Sequence, residues 1–271
     1  MPELPEVETT CRGISPHIES QTVSQVIVRQ PKLRWPVSPE LSTDLPQQRI
    51  QKVSRRAKYI LISTGNGTLI IHLGMSGSLR IIKPSMAIEK HDHVDILFHN
   101  GVGLRYTDPR RFGCLLWTAQ PIEEHKLIAS LGPEPLTDNF HDDYFQLLAK
   151  SRRVPIKTFI MDGHVVVGVG NIYASESLFL AGIHPTRLTN NISAKRLKLL
   201  LKAIKEILTL AIEQGGTTLK DFVNSDGKPG YFQQTLAVYG RKNQPCHSCN
   251  TPIKQIVIGQ RSTFYCPKCQ R

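Results

Sequence analysis

The sequence predicts an α+β protein, with an antiparallel β-sandwich or barrel first, helices second, and a small metal-held β-hairpin last. Three observations predict this order. β-branched runs recur in the first half with Asn-Gly dipeptides between them, the strongest short-range hairpin signal. After residue 140 the apolar residues change to helical spacing. Four of the six cysteines then form two C-x-x-C pairs at the end.

A short opening helix leads into strands at "TVSQVIVRQ" (22–30), "KYILIS" (58–63), "TLIIHLG" (68–74) and "HVDILFH" (93–99). Their β-branched residues partly alternate with polar ones. Asn66-Gly67 and Asn100-Gly101 sit between such runs. "LGPEPLTDNF" (131–140), with two prolines, reads as a linker. Over 194–214 one stripe gathers Leu197, Leu200, Leu201, Ile204, Ile207, Leu208 and Ala211, and Gly215-Gly216 ends that helix. The divisions expected are 1–132 for the sandwich, 133–150 for the linker, 151–235 for the helices and 236–271 for the hairpin.

The 271 residues suit two domains. Lys and Arg number 34 against 22 Asp and Glu, a net charge of +12. Such a surface gains affinity for polyanions by releasing counterions condensed on phosphates. No apolar run reaches the ~18–20 residues that span a bilayer, and "MPELPEVE" lacks the apolar core of a secretory signal. The expected location is the cytoplasm, where thiols stay reduced, so the clustered cysteines point to metal rather than disulfides.

Cys246 and Cys249, then Cys266 and Cys269, each grip one side of a tetrahedral ion. The segment between them alternates around Gly259 and reads as a hairpin. So little apolar surface cannot fold alone, and the metal supplies the missing stability. Four protein ligands leave no open position, so the expected cofactor is one structural Zn2+. Gln260 and Arg261 fall near the hairpin tip, where the arginine is either a solvated turn residue or a finger for a phosphate. Cys11 and Cys114 read as small packing residues.

"TDPRRFGC" (107–114) sets Arg110, Arg111 and Phe112 in a turn between a strand pair. They form either a wedge that enters a duplex or an inward Phe flanked by surface arginines. Met75, in "LGMSGS", is core filler or a second apolar probe. In "EKHDH" (89–93), His91 reads as a polar contact and His93 as a strand residue, without a metal. Gly168 and Gly170 precede a helix beginning near Asn171, as a phosphate cradle or as a tight turn between packed helices.

Removal of the methionine ahead of proline leaves Pro2 first. Its secondary amine has a reference pKa of about 8, so a neutral fraction exists near neutrality. Attack on a sugar C1′ gives an iminium directly, an electron sink for breaking neighbouring C–O bonds. Glu3 stands beside it to move protons, and Glu6 lies one helical turn on, on the same face. Pro and Glu are also favoured in a first helical turn for structural reasons alone.

"PELPEVE", "RRAKY" (55–59), "HLGMSGSLR" (72–80), "KHDHVD" (90–95), "YTDPRRFG" (106–113), "GVGNIYASE" (168–176), "QGGTTLKDF" (214–222), "GYFQQTLAVYGR" (230–241) and the cysteine pairs occur in that order. Together they resemble the formamidopyrimidine-DNA glycosylase family of bifunctional base-excision repair enzymes. The resemblance implies a β-sandwich with flanking helices, followed by a helical domain with a helix–two-turns–helix element and a zinc hairpin. It implies a monomer that removes oxidised purines such as 8-oxoguanine and formamidopyrimidines from double-stranded DNA and cuts the strand by β,δ-elimination, also at abasic sites.

Position by position, it implies Pro2 as Schiff-base nucleophile, Glu3 as proton donor, Lys58 as proton donor for β-elimination and Arg261 as helper in δ-elimination. His91, Arg110 and Arg152 match DNA contacts. Met75, Arg110 and Phe112 match residues that fill the gap after base eversion, and Asn171 matches a phosphate-binding position. The 215–222 loop matches a cover for the flipped base. Gly163 departs from the family, which commonly carries an amide side chain there. The rivals are an endonuclease VIII-type glycosylase for oxidised pyrimidines and a non-catalytic zinc protein that binds DNA.

Overall fold

The computed structural model describes residues 2–216 and 236–271. The chain divides into two compact units. One is built mainly from the residues up to Ala129, the other from Ser130–Glu213 and the C-terminal stretch ending at Arg271.

The first unit opens with α1 (Leu4–Ile18), whose Leu4, Val7, Cys11, Ile14 and Ile18 recur at helical spacing and are buried. β1 (Val23–Val28) and a single-turn α2 (Glu40–Thr43) follow. Seven strands come next: β2 (Lys52–Arg56), β3 (Tyr59–Ser63), β4 (Thr68–His72), β5 (Ser78–Ile82), β6 (Asp92–Phe98), β7 (Gly103–Thr107) and β8 (Cys114–Thr118). They form two antiparallel four-stranded sheets, ordered β1-β6-β7-β5 and β2-β3-β4-β8. Both Asn-Gly sites lie in hairpin turns, β3–β4 and β6–β7. One core takes Val7, Ile14 and Ile18 of α1 with Val23, Ile60, Ile62, Leu69, Ile71, Val94, Ile96 and Leu104. Leu61 and Ile70, on the opposite face of β3 and β4, are also buried, which explains why those strands read as continuous apolar runs.

The first sheet also buries charge. Arg105 is 1% exposed and meets both oxygens of its cross-strand partner Asp95 at 2.9 Å, with Asp92 at 3.1 Å. Arg29 reaches Asp95 and Arg80 reaches Asp92. Paired burial is what makes such charges tolerable inside a protein.

The second unit contains α3 (Asp142–Ser151), α4 (Ile156–Ile160), α5 (Asn171–Leu180) and α6 (Ala194–Glu213). α6 buries Leu197, Leu200, Leu201, Ile204, Leu208 and Ala211 as expected, while Ile207 is only half-buried. It ends at Gly215 and Gly216, both with positive φ. α5 is buried from Ile172 through Leu178, so amphipathic periodicity could not reveal it. The stretch read as a linker, 133–150, differs from that reading. His141 caps α3 through Tyr144 N–H, and Phe145 packs on Phe140 and Phe159. The two prolines, Pro133 and Pro135, lie several residues ahead of the helix, which begins at Asp142. β9 (Lys254–Ile258) and β10 (Arg261–Tyr265) make the hairpin. Its Phe264 shares a small core with Val238, Cys246, Ile253 and Phe179, in the same unit as the helices.

Candidate active site and nucleic-acid interface

Pro2 and Glu3 are buried at the start of α1. The Glu3 N–H donates to Glu6 Oε2 at 2.8 Å, so Glu6 fixes the first turn, on the face the sequence put it on. Gly216 (φ +82) stands so near Glu6 that an added Cβ would lie 3.0 Å from Oε1. Lys58 occupies the tight β2–β3 turn, in which Arg56 pairs with Tyr59 and Ala57 takes φ 55. Arg55 holds that turn through the Ala57 carbonyl at 2.9 Å and also meets Glu8 of α1 at 2.9 Å. The strand turn bearing Lys58 is thereby tied to the helix bearing Pro2 and Glu3. Burial raises the Glu8 carboxyl, but hydrogen bonds and charge from Arg55 and Arg12 outweigh it and hold the group below its ordinary value.

No motif marks His72 for a role. It ends β4 opposite Tyr59, with the rings 5.2 Å apart. Burial first, then the charges of Lys58 and Arg34, lowers its pKa to about 4. Gly74 N–H donates to Nδ1 at 3.0 Å, which leaves Nε2 as the protonated donor of a neutral ring. Its signal in the sequence was its place: the last residue of a strand before a glycine turn.

The turns 73–77 and 108–113 both cross from one sheet to the other. β4 and β8 pair through His72 and Cys114, β5 and β7 through Ser78 and Thr107, so the two crossings run side by side. "TDPRRFGC" therefore joins strands of different sheets rather than a paired hairpin. Met75 and Phe112 project from these turns, 38% and 45% exposed, and the Arg110 guanidinium lies 4.8 Å above the Phe112 ring. Of the two readings of Phe112, the inward one does not hold. A cleft of about 400 Å³ lined by Arg34, His72, Gly74, Met75 and Phe112 opens beside them. His91 is half-buried ahead of β6, and His93 is buried with Nε2 2.8 Å from the Asp108 carbonyl. Asp92 is committed to Arg80, Arg105 and Thr107, so this cluster is structural.

In the second unit Asn171 begins α5, as expected. Val165–Gly170 ahead of it are buried, which favours the packed-turn reading of the glycines. Asn171 Nδ2 donates to the Ser262 carbonyl at 2.9 Å, and the buried Lys157 ammonium donates to Asn171 Oδ1 and to Thr263 Oγ1. Lys157, hidden in an apolar helix stretch, gave no sequence signal. Glu176, also buried, accepts the N–H groups of Ala237, Val238 and Tyr239, anchoring the chain that enters the zinc unit. Desolvation, the largest influence, raises its pKa above the ordinary value.

Gly259 (φ 55) and Gln260 (φ 62) form the hairpin turn, whose paired positive φ values match the strand twist. Arg261 is exposed beside it. Arg152, the C-cap of α3, lines the same pocket of about 350 Å³, with Met161, Asp162 and Ile258. Two guanidinium groups far apart in sequence thus share one recess. The turn at Gly163 is braced without a side chain there: His164 N–H meets Asp162 Oδ1 at 2.9 Å, and Gly132 N–H meets the Gly163 carbonyl at 2.8 Å.

The sulfurs of Cys246, Cys249, Cys266 and Cys269 lie within 4.8 Å of one another. Two of the separations are 3.9 and 3.5 Å. A Zn–S bond of about 2.3 Å implies tetrahedral edges near 3.8 Å, so the set fits one structural zinc with all positions filled. Residues 217–222 of the loop expected to cover a flipped base lie outside the described residues.

Three family models match the chain in order. They describe the formamidopyrimidine-DNA glycosylase N-terminal domain at residues 1–115, its H2TH domain at 131–223, and a zinc finger found in FPG and IleRS at 243–271. The chain belongs to the formamidopyrimidine-DNA glycosylase family. Formamidopyrimidine-DNA glycosylases from Marinomonas sp. and Methylococcus capsulatus are 59% and 57% identical to it over 271 residues, covering 100% of each chain. A Lactococcus lactis FPG variant in complex with Fapy-dG-containing DNA superposes with a TM-score of 0.93 at 33% identity, covering 100% of both chains. The Thermus thermophilus MutM (FPG) protein gives 0.90 at 36%, with 99% and 98% covered. The glycosylase family's sandwich, helical unit and zinc finger are all present in this chain. Among the described residues no helix is long and apolar enough to cross a membrane.

Proposed function

We propose that this protein is a bifunctional DNA glycosylase and abasic-site lyase of base-excision repair, acting on oxidised purines in double-stranded DNA. The observation that carries the reading is the local set at the start of the chain. Pro2 and Glu3 sit together at the buried start of α1, and the Arg55–Glu8 pair ties the Lys58 turn to the same helix.

The Pro2 nitrogen, freed by methionine removal, attacks C1′. The bond from C1′ to the base breaks, and the base leaves with its electron pair and a proton. Glu3 protonates the sugar ring oxygen as the ring opens, leaving an iminium on C1′. Loss of a C2′ proton breaks the C3′–O bond, with Lys58 serving proton transfer. A second elimination, helped by Arg261, breaks the C5′–O bond. Phe112, Met75 and Arg110 enter the duplex as the damaged nucleotide swings out, which costs a few kcal/mol and least for a poorly stacked lesion. His91 and Arg152 hold the DNA backbone, and Asn171, its amide fixed by Lys157 and the Ser262 carbonyl, adds the phosphate contact that the resemblance implies. Zinc holds the hairpin, and with it Arg261. The protein works as a cytoplasmic monomer.

A panel of lesion duplexes with borohydride present tests this. Wild type becomes covalently attached to 8-oxoguanine DNA, while Pro2→Gly, left with a primary amine, traps and cleaves more weakly but still binds. Equal loss of binding and cleavage would make Pro2 a fold residue. One observation favours a second reading: a Lactococcus lactis Fpg was solved with DNA containing an oxidised pyrimidine. Faster excision of pyrimidine lesions in the panel would select it.

A further inference from the structure

We infer that Asp108 is the positioning residue that sets both duplex-entering turns, an inference that rests on the repair function proposed above. Asp108 follows β7 and is fully buried. Its Oδ1 accepts from Ser76 Oγ at 3.0 Å and from the Arg110 N–H at 3.3 Å. Its Oδ2 accepts from the Tyr106 hydroxyl at 3.1 Å and from the Gly113 N–H at 2.9 Å. Ser76 adjoins Met75, and Arg110 and Gly113 bracket Phe112. One carboxylate therefore fastens both crossings. The backbone of Asp108 extends the tie: its N–H donates to the His91 carbonyl, and its own carbonyl accepts from the Arg111 N–H and faces His93 Nε2.

A carboxylate offers about four lone-pair sites, and here each oxygen meets two donors. Bonds to an ionised acceptor are about twice as strong as neutral ones. Burial, and then the charge of Asp108, push the Tyr106 phenol well above its ordinary pKa, so that group stays a donor. The two turns also touch closely. A Cβ at Gly74 (φ +63) would lie 2.5 Å from Phe112 C and Gly113 N, and one at Gly113 would lie 1.9 Å from the Tyr106 oxygen. The hydrophobic effect draws large apolar side chains inward, yet Met75 and Phe112 stand out because the backbone beneath each is pinned. A probe ordered in advance costs less to immobilise on binding.

Asp108→Asn keeps the shape but turns an acceptor oxygen into an NH2 facing two donors. The measurement compares excision from a lesion duplex with cleavage of a single-stranded abasic oligonucleotide, which has no helix to enter and no base to extrude. The ratio of the two rates falls about tenfold, the equivalent of one buried hydrogen bond left unmade. A 2-aminopurine beside the lesion also stops brightening on binding. Ser76→Ala cuts only the tie between the turns, lowers the same ratio by a smaller factor, and carries the test if Asp108→Asn does not fold. A ratio unchanged in the folded variants overturns the inference, as do two rates that fall in step, since Asp108 would then be a general support of the fold. Wild type that cleaves neither substrate overturns the repair reading and this inference together.

Discussion

His72 shows how a single side chain acquires a fixed chemical state. Burial and two nearby cations hold its pKa near 4, whereas an unfolded histidine titrates near 6.5. Between those values the unfolded chain binds a proton that the folded chain refuses, so stability is full above about pH 6.5 and falls as the pH drops toward 4. His72→Asn retains an acceptor for the Gly74 N–H and removes the titration. Thermal midpoints measured from pH 4 to 8 fall less steeply on the acid side for this variant than for wild type. Equal slopes would place another group behind the loss. Residues of this kind were hard to read from sequence. Pro2, Glu3 and the cysteines carry chemistry by type and position, but His72, Lys157 and Glu176 acquire theirs from neighbours that only folding supplies.

Among the elements, legibility followed burial and charge. β3, β4 and β6 were visible as β-branched runs, and both Asn-Gly turns lie where expected. β2, β5 and β7 were not, because Arg55, Arg80 and Arg105 interrupt their apolar alternation. Arg105 is as buried as its neighbour Leu104, paired with Asp92 and Asp95; a period-two reading counts it as a surface position. The zinc hairpin was legible because metal ligation imposes its own spacing. Its stability should depend on that metal. Cys249→Ser brings bound zinc from about one per chain to well below it and lowers the midpoint of the C-terminal unit by about 5 °C or more. With Arg261 loosened, products shift from the doubly eliminated 3′-phosphate toward the singly eliminated unsaturated aldehyde. Full zinc content by metal analysis would contradict the four-thiolate site.

At the scale of the whole molecule, the net charge of +12 is a statement about DNA affinity rather than fold. If the basic side chains neutralise about six phosphates, raising salt from about 50 to 200 mM weakens lesion-duplex binding by about a thousandfold. Fluorescence anisotropy across that range measures the slope, and a flat response would remove the phosphate contacts from the account. The change from strands to helices was legible in the spacing of apolar residues. Its position was less so: α3 packs within the second unit although its flank carries linker-like prolines. The chemistry turns on one covalent bond, from the Pro2 nitrogen to C1′. Borohydride-trapped protein on 8-oxoguanine DNA, digested and sequenced by tandem mass spectrometry, should carry the deoxyribose remnant on the Pro2 nitrogen of a chain lacking Met1. A remnant on Lys58 or any other lysine, or an active chain that still begins with methionine, would contradict it.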